Sequence, residues 1–291
     1  MRSIVVVTAL AVLAALAPSA VRADHAGTTI AWTALLPAQP GMPARDAASC
    51  GEDGLRCLRD VERRLARMAE EFGCDHRGVF ATTYLLLTRE LRVEAERRPS
   101  VFEDPAAIGR LAVVFFEMYT RALADHEAGR PLPAAWRIAF DAARDGDHNA
   151  GQDMLLAISA HVQHDMPFAV AVVGLRTPHG GSRKPDHDRV NQVLSRAYDR
   201  IVPAIAERYD PIMTTADAKP SPADDIAAQN MVAGWREGVW RNAERLTAAR
   251  HAWERAAVVH GIERNAEAWA RTFAAFESPG YRATRDAYCR R

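Results

Sequence analysis

Lysine is almost missing from this chain, with Lys184 and Lys219 the only two, and the acidic and basic side chains balance at 37 each. Without a net positive field nothing draws in a polyanion, so nucleic-acid binding and attachment to an anionic membrane surface lose their usual driving force. The excess of arginine and alanine reads as the bias of a GC-rich coding sequence rather than as a binding surface. Period-two alternation of apolar and polar residues is nearly absent, which removes the β classes. Three catalytic signatures are missing as well. The chain has no G-x-S-x-G elbow, no phosphate-cradling glycine loop and no H-E-x-x-H, so serine-hydrolase, nucleotide-binding and zincin readings have no support. The cysteines form no C-x-x-C pair, which argues against a thiolate metal site.

What is present starts with an apolar run. Arg2 followed by residues 4 to 17, and then Val21-Arg22-Ala23, reads as a secretory signal peptide over residues 1–23, cleaved near Ala23. No cysteine follows the run to take a lipid and no second long apolar segment appears, so the expected product is secreted, periplasmic or extracellular, without a transmembrane segment. In that compartment Cys50, Cys57, Cys74 and Cys289 should be oxidised. Gly51 and Gly54 allow Cys50 to close locally on Cys57, leaving Cys74 to pin Cys289.

A composition that is 48% apolar supports a substantial core. Residues 24–52 read as an irregular arm and residues 53–291 as one helical domain. The spacing of Leu55, Leu58, Val61, Leu65, Met68 and Phe72 predicts a helix that stops at Gly73. Further helices are expected over 79–97, 105–126, 133–144, 147–175, 190–209, 223–249 and 250–276, with loops at 176–185 and 211–222. The fold class is all-α, a single bundle-like domain of about eight helices.

The segment from Asp147 to Pro167 holds the least ordinary chemistry. Helical spacing puts Ala150, Met154, Ala157, Ile158, His161, Asp165 and Phe168 on one stripe, so an imidazole and a carboxylate fall on the face that should be buried. Such groups are costly there unless they pair, bond or bind a cation. His161 and Asp165 at i,i+4, flanked by His164, suit a divalent cation, and Pro167 should kink or break the helix beside them. The competing expectations make Asp165 the cap of a new helix and His161 a satisfied core histidine, or give the cluster metal-free acid-base work. Asp147 and His148 are further capping candidates, and Asp153, about 80° from His161 around the helix, can only flank the site.

His187 and Asn191 repeat the i,i+4 spacing and could face the first pair, while Asp186 and Asp188 read as helix-start chemistry. Asp75 and His76 read as a cap, or as a functional pair held rigid by a disulfide at Cys74. Trp235, Arg236, Trp240, Arg241, Trp253 and Trp269 suggest core packing, or else an arginine-lined pocket for an anionic or sugar ligand.

The run from Gly146 to Pro167, with Asp186-His187, Val190-Asn191, Phe80 and Tyr84-Leu85, resembles an uncharacterised family of exported all-helical bacterial proteins. That resemblance implies a fold class and no activity. A weaker one carries chemistry: His161-x3-Asp165 followed by His187-x3-Asn191 is similar to the zinc-dependent phospholipase C and single-strand nuclease family, whose paired helices ligate a zinc cluster. Asn191 stands where that family has a carboxylate, the third histidine after Asp165 is absent, and the mature chain does not start with tryptophan.

Together these features point to a metal-dependent hydrolase, of phosphoester type, acting on a small-molecule or lipid substrate. His161, Asp165 and His187 would ligate a divalent metal, zinc by the resemblance, with His164 as ligand or general base and Asp153 as supporting carboxylate. The alternative is a non-enzymatic secreted binding protein whose His/Asp network is structural. Export has its own check: intact-mass analysis of protein recovered outside the cytoplasm should give a chain starting at Asp24, and an uncleaved Met1 chain would remove the signal peptide.

Overall fold

The computed structural model describes residues 54–97, 99–215, 222–277 and 279–291, with residues 215 and 222–229 described in backbone only. The signal peptide at 1–23, the arm at 24–52 and Cys50 lie outside the described residues. The helices are α1 (Gly54–Phe72), α2 (Arg77–Glu96), α3 (Pro105–Glu127), α4 (Ala134–Asp145), α5 (Ala150–Ser159), a π-helical segment (Ala160–Asp165), α6 (Met166–Val173), α7 (Lys184–Arg208), α8 (Ile212–Thr215), α9 (Pro222–Ala248), α10 (Ala252–Ala274) and α11 (Tyr281–Cys289). With 150–173 taken as one run this makes ten helices, and no strand is present among the described residues.

All eight expected helices are found, and two more join them. The short α8 lies in the stretch expected to be loop, and α11 follows the last expected helix. Local chemistry explains most ends. Asp104 caps α3, accepting from the Ala107 amide with Pro105 in the first turn, and Gly146 at φ 72° closes α4. Gly54 and Gly109 are needed where α1 crosses α3, because a Cβ on either would collide with the other helix's backbone.

The centre of the domain is α2. Its residues from Gly78 to Leu85 are all buried, the signature of a helix covered on every side. On one flank α7 runs antiparallel to it: Tyr209 reaches Thr82 while Arg196 faces Glu94. The largest apolar cluster joins Phe80 and Tyr84 of α2 to Phe115, Phe116 and Tyr119 of α3, Trp136 and Phe140 of α4, and Trp235 and Trp240 of α9. Trp235 and Trp240 are thus core, as expected, whereas Trp253 is exposed. No described helix is long and apolar enough to cross a membrane.

Cys74 and Cys289 form the expected disulfide, with Cα atoms 5.7 Å apart. Cys57 is disulfide-bonded too, and its expected partner, Cys50, lies outside the described residues. The Cys74–Cys289 bridge spans 215 positions of sequence, so it removes much of the unfolded chain's freedom. Cys289→Ser should lower unfolding free energy by about 2 to 5 kcal/mol in denaturant titrations, and a variant as stable as the parent would show that the bridge contributes nothing.

Candidate functional site

Helices α5 and α6 and the π-helical turn between them form one continuous run that starts at a capping box. The Asn149 side chain accepts from the Gln152 amide, and the Gln152 side chain accepts from the Asn149 amide, each at 3.0 Å. Asn149 therefore caps the run, rather than Asp147 or His148. Asp147 instead accepts from the Gly280 amide, 133 positions away.

The kink expected at Pro167 takes the form of the π-helical turn. The Met166 amide bonds back to the His161 carbonyl, one residue further than in an α-helix. Pro167 has no amide hydrogen, and its ring would crowd the Gln163 carbonyl in a regular α-turn, so a wider turn relieves both problems. All six residues of the segment are buried.

Asp165 gathers three donors. Its Oδ2 lies 2.8 Å from His161 Nδ1 and 2.8 Å from Trp136 Nε1, and its Oδ1 lies 2.7 Å from His164 Nδ1. Burial pushes this carboxyl up, but hydrogen bonds from His161 and His164 outweigh it and hold the group below the usual carboxylate range. An ionised carboxylate only accepts, so both imidazoles donate from Nδ1, and the neutral His161 carries its lone pair on Nε2. Asp165 makes no capping bond to the helix that follows, which corrects the capping expectation.

His161 is caged by rings. It stacks on Phe115 with centroids 3.3 Å apart, and Tyr84, Phe80, Trp136 and Tyr119 surround it at 5.0 to 6.0 Å. Burial pushes its imidazole down despite Asp165, so it stays neutral. Its Nε2 and the hydroxyls of Tyr84 and Tyr119 are buried without hydrogen-bond partners; His161 is thus not the fully satisfied core histidine of the competing expectation. Burial raises both phenols as well. His164 is less enclosed, with 9% of its side chain exposed and its ring against Phe168.

The other expected site residues go elsewhere. Asp153 pairs with His76, its Oδ2 lying 2.6 Å from His76 Nδ1. Helix α11 completes this second cluster, placing Asp286 3.7 Å from His76 Nε2 and burying Arg285 against the Cys74 and Asp75 carbonyls. Burial raises the Asp153 carboxyl, and His76 offsets this only in part. His76 Nε2, Asp153 Oδ1, His148 Nδ1 and Arg285 Nε are all buried without hydrogen-bond partners. His76, Phe80 and Tyr84 occupy one stripe of α2 at i,i+4 spacing, a signal that could have linked the two clusters.

His187 donates from Nε2 to the Arg236 carbonyl at 2.9 Å, and Arg236 turns its guanidinium to the His187 carbonyl, Asn191 Oδ1 and Met166 Sδ. Burial drives His187 well below its ordinary value and Arg236 down to about 10. Arg236 thus serves as a core hydrogen-bond hub. Asp186 does helix-start chemistry, but for another segment: its carboxylate accepts the amides of Glu103 and Asp104 ahead of α3. Asp75 accepts the Arg77 amide at the start of α2, as a cap would. Among the described residues no group of three His, Cys, Asp or Glu side chains is placed to hold a metal ion, so His161, Asp165 and His187 are not assembled as one ligand set.

Fold and clusters define an all-helical protein with a buried His-Asp-His network at a π-helical turn and a disulfide-tied C-terminal helix. The chain belongs to DUF5995, a family of unknown function, whose family model matches residues 58–276. The match contains both clusters except for the residues of α11. No curated protein and no solved structure matches the chain.

Two outcomes follow from this geometry. Asp165→Asn puts an amide among three N–H donors, so it should cost about 3 kcal/mol or more, where loss of a mere cap would cost under about 1 kcal/mol; denaturant titration separates them. For pH, His161 and His187 have folded values below the unfolded one near 6.5, while the raised Asp153 carboxyl acts in the opposite sense at lower pH. Their stabilisation is complete above about pH 6.5 and is lost as pH falls, by about 1.4 kcal/mol per unit for each imidazole. Melting at pH 7 and pH 5 should show this loss, and His161→Phe should remove one share of it.

Proposed function

We propose that the π-helical cluster is the acid-base centre of an exported hydrolase, with a phosphoester of a small molecule or lipid as substrate. The observation that carries this reading is a single buried carboxylate, Asp165, orienting two imidazoles through Nδ1. Asp165 fixes tautomer and ring orientation, and each Nε2 is left as a proton acceptor. His164, the less enclosed of the two, takes a proton from the attacking water through Nε2 and returns it to the leaving oxygen as the P–O bond breaks.

The zinc reading taken from the phospholipase C and nuclease resemblance does not fit the expected donors. Both Asp165 oxygens accept N–H bonds and His187 is turned to a backbone carbonyl, so these groups are already committed to hydrogen bonds. Asp153 belongs to the His76 pair and takes no part in this step. The non-enzymatic reading, a binding protein with a structural network, is favoured by the ring cage around His161.

The test is hydrolysis of p-nitrophenyl phosphate, bis-p-nitrophenyl phosphate and p-nitrophenylphosphorylcholine by the full exported chain, with and without chelator. Turnover should survive the chelator and fall at least about 100-fold in a folded His164→Gln variant. Turnover lost to chelator and restored by zinc would replace acid-base chemistry with the metal reading. No turnover on any of the three by folded protein would leave the structural network.

A further inference from the structure

Helix α11 is held onto the domain with very little apolar burial. Of its nine residues Arg285 alone is buried, and Ala283 and Ala287 are exposed. The half-buried Cys289 is its link to the apolar cluster of Val79, Ile205 and Tyr209. The other attachments are polar: Tyr281 donates to Asp210 Oδ1 at 2.6 Å, Tyr288 to the Glu207 carbonyl at 3.1 Å, and Arg282 to the Arg144 carbonyl at 2.9 Å. The chain leading into the helix is exposed at Glu277, Pro279 and Gly280, and Gly280 turns it at φ 77°.

The one buried side chain is a poor anchor. Arg285 donates to the Cys74 and Asp75 carbonyls and lies 3.1 Å from Asp286, yet its Nε is buried without a hydrogen-bond partner. A guanidinium taken out of water with a donor unmade opposes docking, and the remaining hydrogen bonds exchange for water at little net gain. The strong tie is covalent: the Cys74–Cys289 bridge joins the last residue of α11 to the turn just before His76. Beneath the helix lie His76 and Asp153, both buried, with His76 Nδ1 on Asp153 Oδ2 and His76 Nε2 turned to Asp286, 3.7 Å away.

We propose that α11 is a redox-latched cover over the His76–Asp153 pair: reduction of the Cys74–Cys289 bridge frees the helix and opens the pair to solvent, while the rest of the domain stays folded. Both cysteines are half-buried rather than enclosed, so a dithiol reductant can approach. Its thiolate attacks one sulfur and breaks the S–S bond, and its second thiol then resolves the mixed disulfide. Two electrons and two protons end on Cys74 and Cys289 as thiols, and the reductant leaves as a disulfide. The exposed linker keeps the freed helix tethered, so reoxidation restores the cover. His76 emerges still oriented through Nδ1 by Asp153, with Nε2 outward, an arrangement suited to exchanging a proton. The inference shares no residue with the π-helical cluster and does not depend on the hydrolase reading.

Hydrogen exchange and diethyl pyrocarbonate labelling of the full chain, oxidised and after dithiothreitol, test it. Reduction should speed exchange of the amides of residues 281–291 at least about tenfold and raise His76 labelling by a similar factor. Exchange in α3 and in the middle of α2 should not change, and the ring-enclosed His161 should stay unlabelled. A Cys74→Ser, Cys289→Ser variant should show both changes without reductant, which separates this bridge from the disulfide at Cys57. If that variant fails to fold, the reductant-treated chain carries the test. Reoxidation should return both readings to their starting values. The proposal is overturned if α11 exchanges at the same rate with and without the bridge, or if α11 opens while His76 stays unlabelled. It is overturned too if α2 and α3 lose protection together with α11, since the bridge then staples the whole fold.

Discussion

A carboxylate with three N–H donors in a dry core is the constraint on which the centre of this molecule depends. Asp165 could not stay ionised at 2% exposure unaided. It is held by His161 and His164 from its own π-helical turn and by Trp136 from α4. Those bonds set the positions of two imidazoles and an indole, and the rings of Phe80, Tyr84, Phe115 and Tyr119 pack around the result. The wide turn puts the three donors within reach of one acid while accommodating Pro167.

A second buried pair shares the same helices. His76 and Asp153 join the start of α2 to the start of α5, and Phe80 lies one turn along α2 between this pair and Tyr84. Here closure comes from the far end of the chain. The Cys74–Cys289 bridge holds α11 in place, and with it come Arg285 and Asp286. The DUF5995 match ends at residue 276, before this helix, so the charges of α11 lie outside the matched span.

Much of this was legible in the chain itself. The 3.6-residue stripes of α1 and of the run from Ala150 to Phe168, Gly73 as a stop, and the unusual burial of His161 and Asp165 all follow from spacing and side-chain chemistry. The pairing of Cys74 with Cys289 followed from elimination among four cysteines. Two short helices were missed: α8 has only four residues, and α11 is a nine-residue helix with few aliphatic side chains. The role of Trp136 was hidden for a different reason: nothing in its neighbourhood of sequence points to an acid 29 positions later.

Local sequence determined the longer helices and the burial of His161 and Asp165, because apolar periodicity and the cost of desolvation act within a few turns. It could not determine the partners of those groups. Asp153 lies one helical run from Asp165, yet it bonds His76, and His187 repeats the His161 spacing, yet it bonds Arg236. Partner choice depends on which helices lie side by side and at what register. Only the packing of α2, α4, α7, α9 and α11 around the π-helical run decides that.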